Sequence, residues 1–260
     1  MPQSDRNPAT ERPDTGDGRP LSVLIVALNS APEPVGAGKY TGELAAWLAA
    51  RGHRVELVSA PPFYPDWRIR RGYRGLGYRT TEEHGVRTLR CPTYVPGRPT
   101  GGRRLLHHLS FALTSWPAAL WRAATVRPDV VLCVAPSLLS APAALAAARI
   151  SGTTGWLHVQ DLELDTATGL DMLPARMGRA AAWLERALVC SFDRVTTISE
   201  AMADRLADKG VDPMRLGVTA NWVDCRAIRP LPAREVCRTA FGLPKDAFVG
   251  RFAGTLSAKQ

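Results

Sequence analysis

Residues 21–28 read LSVLIVAL, and residues 29–40 read NSAPEPVGAGKY. The first run is short, continuous and apolar with β-branched side chains, which is typical of a strand buried on both faces of a parallel sheet. The second contains prolines and glycines and leads into a helical pattern at 39–51, so it indicates the loop between a strand and a helix. The three segments together predict the first strand–loop–helix unit of an α/β domain.

The same alternation of strands and helices continues along the chain. In the first helix, Leu44, Trp47 and Leu48 share one face. Further strands are predicted where short apolar runs recur, at 54–59, 85–90, 129–135, 153–159, 194–198 and 216–220. Further helices are predicted where apolar residues recur at helical spacing, at 103–124, 138–150, 174–190 and 199–209. The pattern predicts a doubly wound parallel sheet with helices on both faces, in which ligands bind beyond the carboxyl ends of the strands.

The two ends of the chain differ in composition from its middle. Residues 1–20 are polar and contain no apolar segment like that of a secretory signal, so we expect a disordered tail. Residues 21–228 contain the whole strand–helix alternation and are predicted to form one domain. Residues 229–260 contain three prolines and then a strand-like pattern at 248–253, which is followed by a phosphate-type loop. A lone strand has no sheet to join, so this last segment predicts a linker and the start of a truncated second domain.

Positive charge is concentrated in one part of the chain. The whole sequence has a net charge of +9, and residues 51–127 contain fourteen arginines, no lysine and four acidic residues. A basic surface of this kind suits anionic lipids, phosphate-bearing substrates or nucleic acid. Nucleic acid is not expected as a partner, because the sequence contains no recognition motif and its aromatic residues do not alternate with basic ones as in a stacking platform.

Cysteine content and hydropathy argue against two further classes of protein. The five cysteines are odd in number, scattered and without C-x-x-C spacing, so neither a disulfide framework nor a metal site is expected. No run of eighteen apolar residues occurs, which predicts the absence of a transmembrane helix. We therefore expect a cytoplasmic protein that at most touches a membrane surface.

The loop at 29–40 is the first candidate for a ligand site. Gly36 and Gly38 would let backbone amides approach a ligand closely, and the helix that follows offers its positive N-terminal end to an anion. The loop is not a P-loop, because Glu33 stands where that motif has glycine and Tyr40 where it has serine or threonine. The third glycine of a dinucleotide-binding fingerprint is also missing. A phosphate-binding loop and a simple tight turn both fit these residues.

A second candidate site follows the strand predicted at 153–159, where residues 158–165 read HVQDLELD. A histidine and several acidic residues at the carboxyl end of a strand are well placed for chemistry, which makes His158 and Asp161 candidate catalytic residues. The same pattern also fits a buried, hydrogen-bonded histidine followed by acidic residues that cap the next helix. Spacing alone leaves both interpretations open.

The helix predicted at 103–124 is both basic and apolar, and Pro117 predicts an interruption in it. The basic residues that flank its leucines and tryptophans are Arg103, Arg104, His107, His108 and Arg122. Such a helix could lie on an anionic membrane, with Arg103, Arg104, Trp116 and Trp121 facing the lipid. The alternative is that the apolar face packs on the sheet and the arginines extend into solvent.

Five motifs resemble those of a known enzyme family in their order and spacing. They are NSAPEPVGAGKY at 29–40, APPFYPDW at 60–67, HVQDLE at 158–163, TISEAM at 197–202 and NWVD at 221–224. Together they resemble the family-4 retaining glycosyltransferases of the GT-B fold, and most of all the colanic-acid type of exopolysaccharide assembly. The resemblance extends over residues 21–260 and covers only the N-terminal part of such an enzyme.

The resemblance implies two Rossmann-like domains that face each other across a cleft. The N-terminal domain would bind the acceptor, and the C-terminal domain a nucleoside-diphosphate sugar. His158 would lie beside the transferred sugar, and Asp161 would border the acceptor site. The residues implied for binding the donor phosphates or other substrate groups are Gly36, Gly38, Lys39, Asn221 and Lys259. A lysine at the donor diphosphate would stabilise the charge that grows on the leaving group, so no metal or other cofactor is expected.

The resemblance therefore implies transfer of a sugar from a nucleoside-diphosphate sugar to a lipid-linked or saccharide acceptor in exopolysaccharide or cell-envelope glycan synthesis. Such a protein is expected in the cytoplasm, with peripheral contact at the inner face of the plasma membrane. The alternative is an inactive remnant or binding module that keeps only its contacts with the acceptor, the membrane or a partner chain.

Overall fold

A computed structural model describes residues 19–162, 175–229, 238–244 and 247–250. The strands within these residues are β1 Ser22–Ala27, β2 Arg54–Ser59, β3 Arg79–Glu83, β4 Val86–Arg90, β5 Val130–Ala135, β6 Thr154–Val159, β7 Arg194–Thr197 and β8 Leu216–Val218. The α-helices are α1 Gly36–Ala50, α2 Gly101–Val126, α3 Ala141–Ser151, α4 Ala175–Cys190 and α5 Glu200–Asp208. Every strand predicted before residue 221 is present, with ends that differ by at most two residues.

The strands form one sheet in the order β3-β4-β2-β1-β5-β6-β7-β8. All neighbouring pairs from β4 to β8 are parallel, and β3 pairs antiparallel with β4 at one edge. The chain moves outward from β1 to β2 and later returns to β5 on the other side of β1. This arrangement confirms the doubly wound α/β fold, and the strand order reverses beside β1, where ligands bind in such sheets.

β3 is the strand that the sequence does not predict. Its residues read RTTEE, and none of them is buried. The strand forms because a tight turn returns it to β4, with positive φ angles of 52° at His84 and 74° at Gly85. A polar edge strand of this kind carries no hydrophobic alternation that a sequence pattern could reveal.

Alternate side chains of β1 enter two separate cores, one on each face of the sheet. Leu24 and Val26 pack in the core that α2 and α3 cover. Val23 and Ile25 pack in the core that α1 covers through Ala45. The helices therefore lie on both faces of the sheet, as predicted.

Leu44 and Leu48, two of the three residues predicted to share one face of α1, pack partly buried against the core beneath α1. The fully buried residues of the helix are small, namely Gly38, Thr41, Gly42 and Ala45. A Cβ atom at Gly42 would lie 2.5 Å from the Cβ atom of Ala31, so this glycine lets the helix approach the loop after β1. Trp47, the third predicted residue of that face, is 44% exposed, because the close approach leaves room only for small side chains at the centre of the contact.

α2 is one continuous helix of 26 residues, so the predicted interruption at Pro117 is wrong. Proline lacks the N–H that would bond to the carbonyl of Leu113, which costs the helix one hydrogen bond. Ser115, Ala118 and Ala119 are buried around the proline. Tight packing on the sheet and on α3 keeps the helix intact past this position.

Three of the basic residues predicted to flank the apolar face of α2 are instead directed into the protein. Arg122 forms a buried ion pair with Glu56 of β2, and the two side chains are 5% and 3% exposed. His107 is fully buried, and the Nδ1 atom of His108 lies 2.9 Å from the hydroxyl of Ser137. Each of these residues has a polar partner outside α2 that draws it away from solvent.

The chain divides into two compact units, Met1–Ala220 and Asn221–Gln260. In the second unit, residues 247–250 form no strand, and the remainder of the strand predicted at 248–253 lies outside the described residues. Lys259 also lies outside them, as does the predicted tail except for its last two residues. In the part of the chain that the structure describes, no helix has the length and hydrophobicity needed to cross a membrane.

Candidate functional site

Three loops lie at the same edge of the sheet, because parallel strands run in one direction and all end at that edge. They follow β1, β2 and β6 and contain residues 28–35, 60–66 and 160–162. β1 and β2 are neighbours, whereas β5 lies between β1 and β6. The spacing of strands in a sheet therefore separates the first loop from the third by about 10 Å.

Glu33 connects the first two loops. Its side chain is buried, and Oε1 accepts hydrogen bonds from the backbone N–H groups of Phe63 and Tyr64, both at 3.0 Å. Oε2 accepts a third bond, of 2.9 Å, from the amide of Asn29. Burial raises the pKa of the Glu33 carboxyl, and these three hydrogen bonds oppose that shift. The carboxylate is thus a structural connection between the loops after β1 and β2.

Arg90, at the end of β4, holds the same two loops from the other side. Its guanidinium donates to the Ser30 hydroxyl and to the carbonyl of Ala31, each at 2.6 Å, and to the carbonyl of Ala60 at 3.1 Å. The side chain is buried, and this burial lowers its pKa. The hydroxyl of Ser30 also lies 2.8 Å from that of Ser59. A buried polar network therefore fixes the position of the loop that precedes α1.

The sequence reasoning missed Glu33 and Arg90 as site residues. In the sequence, Glu33 stands out only because the P-loop motif has glycine at its position. Two of its three hydrogen-bond partners, Phe63 and Tyr64, are about 30 residues away along the chain, and those of Arg90 are up to 60 residues away. The available signal was the position of Arg90, a charged side chain at the end of a predicted buried strand, which requires polar partners.

The three predicted residues at the start of α1 have different environments. Gly36 is exposed and has a φ angle of +64°, so glycine is the residue that this backbone conformation favours. Gly38 is buried, and a Cβ atom there would lie only 2.2 Å from Oε2 of Glu33. The side chain of Lys39 extends along the helix to Glu43 at 3.2 Å. Val35 precedes the helix and its apolar side chain cannot cap it, so the backbone N–H groups of the first turn receive no hydrogen bond from the N-cap side chain.

His158 is a buried residue with hydrogen bonds from both ring nitrogens. It is 6% exposed, and Nδ1 lies 2.9 Å from the hydroxyl of Thr196 on β7. The side-chain amide of Gln160 donates to Nε2 at 3.1 Å, which places the proton of the neutral ring on Nδ1. Burial lowers the pKa of His158 and so favours this neutral form. The environment fits both the buried histidine and the catalytic residue that the sequence left as alternatives.

The remaining predicted site residues are only partly described. Asp161 follows β6 beside Leu162, which is buried. Glu163 and Asp165 of the same motif lie outside the described residues. Asn221 begins the second unit. The first unit thus brings the start of α1 and the pair His158 and Asp161 to one edge of the sheet, and their roles stay predictions.

An open groove of about 810 Å³ lies between the loop after β1 and the loop after β2. Its walls include Pro32, Phe63 and Tyr64, and three arginines line it, namely Arg68, Arg70 and Arg71. The sequence pattern indicates only a loop at these positions. The prolines and aromatic residues of APPFYPDW at 60–67 were the signal that this loop has a defined shape.

The described residues contain no group of three or more His, Cys, Asp or Glu side chains that could hold a metal ion. Cys91, Cys133, Cys190 and Cys225 are free thiols. Burial raises the pKa of both Cys91 and Cys133 to about 12. Neither of these two thiols is therefore a reactive nucleophile at neutral pH.

Comparison with known proteins gives one family and several relatives. Residues 35–222 match the glycosyl transferase 4-like domain. The chain is 35% identical over 246 residues to a putative colanic acid biosynthesis glycosyl transferase, WcaI, of Escherichia coli strain K12. The alignment covers 92% of this chain and 60% of that relative, so the chain spans less than two thirds of the relative's length.

Two solved structures share the fold. One is HepE of Anabaena in complex with UDP-glucose, with a TM-score of 0.50 and 12% identity, over 85% of this chain and 50% of that one. The other is the glycotransferase of kitacinnamycin, with a TM-score of 0.50 and 20% identity, over 82% of this chain and 55% of that one. At these identities the likeness is one of fold alone.

Proposed function

Because the chain belongs to the glycosyl transferase 4-like domain family, we propose that it transfers a sugar from a nucleoside-diphosphate sugar to a lipid-linked or saccharide acceptor in exopolysaccharide or cell-envelope glycan synthesis. The observation that carries this proposal is the family match over residues 35–222, which includes the start of α1, the loop after β2 and the motif around His158. The 35% identity to the colanic acid enzyme supports the choice of an exopolysaccharide pathway. The nucleotide sugar is the co-substrate, and we propose no metal or other cofactor.

The transfer makes one bond and breaks another at the anomeric carbon of the donor sugar. The bond from this carbon to the diphosphate breaks, while the hydroxyl oxygen of the acceptor bonds to the same carbon and loses its proton. Retention of anomeric configuration is part of the proposal. Negative charge grows on the departing diphosphate, and donors placed around it lower the barrier.

The start of α1 has the properties that such a diphosphate needs. Gly36 is exposed, and the uncapped N–H groups of the first turn lie at the positive end of the helix. Glu33 and Arg90 fix this turn through buried hydrogen bonds, so that little reorganisation accompanies binding. The solved relative HepE is in complex with UDP-glucose, and a nucleotide sugar of the same kind is the donor that we propose here. Lys259 would add a cation at the diphosphate.

His158 and Asp161 are the proposed catalytic residues. The neutral imidazole of His158, held by Thr196, would contact the transferred sugar without placing a second positive charge beside the anomeric carbon. Asp161 would border the acceptor hydroxyl, where a carboxylate can accept its proton. His158 lies near the carboxyl end of β6 and Asp161 follows the strand, at the edge where ligands bind in doubly wound sheets.

We also propose a cytoplasmic location with peripheral contact at the inner face of the plasma membrane. The large apolar residues of α2 that remain exposed are Leu105, Leu106, Leu109, Leu113, Trp116 and Trp121. Their spacing places them along one side of the helix, and the exposed Arg103 and Arg104 precede them. Apolar and tryptophan side chains beside arginines suit the headgroup region of an anionic lipid surface.

The test measures transfer of radiolabelled sugar from a panel of UDP- and GDP-sugars to lipid extracts and oligosaccharides. One arm uses the 260-residue chain, and a second arm fuses it to the remaining part of the Escherichia coli relative. We expect labelled product in at least the fused arm, with a loss of about a hundredfold for His158→Ala. Product from neither arm with any donor would contradict the proposal and favour a binding module.

A further inference from the structure

The groove beside the loop after β2 combines an apolar wall with a basic rim. Its apolar lining includes four prolines, Phe63, Tyr64 and Ile69. Arg68, Arg70 and Arg71 lie along the same segment, and all three are exposed. An apolar wall with a few convergent charged groups is the usual composition of a ligand site.

The groove carries a positive charge that its own acidic residues do not neutralise. Asp66 is the exposed acidic residue among those that line it. The other carboxylate, that of Glu33, is directed inward to the N–H groups of Phe63 and Tyr64. Across the described ranges, the guanidinium groups of Arg68 and Arg71 have no hydrogen bond or ion pair. They are therefore available to an anion, and a guanidinium group matches the geometry of phosphate oxygens.

Arg70 differs from its neighbours because it joins the two walls. Its guanidinium donates to the carbonyl of Pro32 at 2.8 Å, so the loop after β2 is held against the loop after β1. Its backbone N–H also donates to the carbonyl of Pro62 at 2.9 Å. The groove thus has a fixed shape before any ligand enters, which lowers the entropic cost of binding.

The groove adjoins both regions that the proposed function uses. The ring of Tyr64 lies 3.6 Å from the position of a Cβ atom at Gly36, at the start of α1. Trp67, on the same segment, contacts His107 of α2 with ring centroids 5.4 Å apart, and Arg104 lies over its ring at 5.3 Å. A ligand in the groove would therefore lie close to the proposed donor site and to the end of α2 that carries Arg103 and Arg104.

We propose that this groove binds the phosphate or diphosphate ester group of the acceptor, with the three arginines on the phosphate oxygens and the proline and aromatic wall against the group that the ester carries. The inference rests on the proposed function, because it names the chemical class of the acceptor. It places the acceptor hydroxyl on the side of the groove that faces the start of α1.

The first experiment is a calorimetric titration of the 260-residue chain with inorganic diphosphate and with geranyl diphosphate, in buffer that contains a chelator. The test variant is Arg68→Ala/Arg70→Ala/Arg71→Ala. The matched control is Arg87→Ala/Arg149→Ala/Arg205→Ala, which removes the same charge from exposed positions elsewhere. We expect the test variant to weaken binding at least about tenfold and the control less than about twofold.

A second variant separates the loss of positive charge from a change in the shape of the loop. Arg68→Gln/Arg71→Gln leaves the bond from Arg70 to Pro32 in place and should still weaken binding by roughly tenfold. Equal weakening in the test and control variants would overturn the proposal, because it would show a general charge effect. Binding that is unchanged in all variants, or absent from the wild-type chain, would overturn it as well.

The ligands distinguish the sources of the phosphate group. Tighter, arginine-dependent binding of geranyl diphosphate than of inorganic diphosphate supports a lipid-linked acceptor, and equal binding supports a phosphorylated saccharide. A parallel titration with UDP tests whether the groove binds the donor nucleotide instead of the acceptor. If UDP binding depends on the three arginines and geranyl diphosphate binding does not, the groove serves the donor and the proposal is wrong.

The titration measures binding and not sugar transfer. Its result therefore tests the groove independently of the proposed function. Active transfer together with arginine-independent binding would remove the groove assignment alone. Arginine-dependent binding without transfer from any donor would remove the proposed function and leave a phosphate site.

Discussion

Gly38 shows how a single absent side chain permits the buried contact between the loops after β1 and β2. Oε2 of Glu33 occupies the space that a Cβ atom at this position would enter. The glycine is therefore needed for packing against Glu33, whereas Gly36 is favoured by its positive φ angle. Glycine is thus required at the two positions of one motif for different physical reasons, and Gly36 is the exposed one of the two.

The substitution Gly38→Ala should destabilise the protein by about 1–3 kcal/mol. The new methyl group would lie 2.2 Å from Oε2 and 2.7 Å from Cβ of Glu33, so the buried carboxylate must move and lose hydrogen bonds. Urea unfolding measures the effect. Gly102→Ala is the control, because its Cβ meets no atom within 4 Å and alanine favours the helix. Equal stability of the two variants would contradict the assigned role of Gly38.

α2 is the element that connects the core to the exposed surface. Its inner side carries mostly small or polar residues, including Ser115, Ala119 and the ion-paired Arg122, together with the buried Phe111 and Val126. Its outer side retains large apolar residues such as Leu113, which is 74% exposed. The usual amphipathic arrangement is therefore reversed in part, because the close packing of α2 on α3 and the sheet admits mainly small side chains.

Removal of the buried cation in α2 should be strongly destabilising. Arg122→Met leaves the Glu56 carboxylate, whose side chain is 3% exposed, with the largely exposed Arg54 as its one remaining ion-pair partner among the described residues. We expect a loss of about 3–5 kcal/mol in the free energy of unfolding, measured in urea. The double variant Glu56→Leu/Arg122→Met removes both charges and should recover most of this loss. Additive losses in the double variant would show that the two side chains do not act as a pair.

The exposed side of α2 should bind anionic vesicles. In a flotation assay, Arg103→Gln/Arg104→Gln should weaken binding by about thirtyfold, since each arginine near such a surface contributes about 1 kcal/mol. Leu113→Ser/Trp121→Ser should also weaken it through lost apolar contact. Arg87→Gln/Arg149→Gln, at exposed positions outside α2, is the charge-matched control. Wild-type binding that does not weaken as salt rises would argue against this surface.

The whole molecule shows which parts of a fold a sequence reveals. Continuous apolar runs such as 21–28 identify the buried parallel strands, because burial on both faces imposes that composition. The polar β3 at the edge and the intact helix at Pro117 depend on neighbouring elements, which a local pattern does not contain. The same limit applies at the site. His158 was identifiable from its place near the carboxyl end of a predicted strand, whereas its partner Thr196 is 38 residues away and becomes visible only through the pairing of β6 with β7.

Acid sensitivity is a property of the whole molecule, because buried histidines occur on both α2 and β6. Burial lowers the pKa of His107, His108 and His158, and that of His108 falls to about 4. Between the unfolded value of about 6.5 and these folded values, the unfolded chain binds more protons, so stability must fall as pH falls. His108 alone should contribute up to about 3 kcal/mol to this loss, which is complete near pH 4.

Urea unfolding from pH 7.5 to pH 4.5 should therefore show a steep decline in the free energy of unfolding, and His108→Gln should make this decline shallower. The glutamine keeps a polar group near Ser137, the hydrogen-bond partner of the imidazole. An unchanged slope in this variant would mean that His108 is protonated in the folded protein at the pH where it is protonated in the unfolded chain.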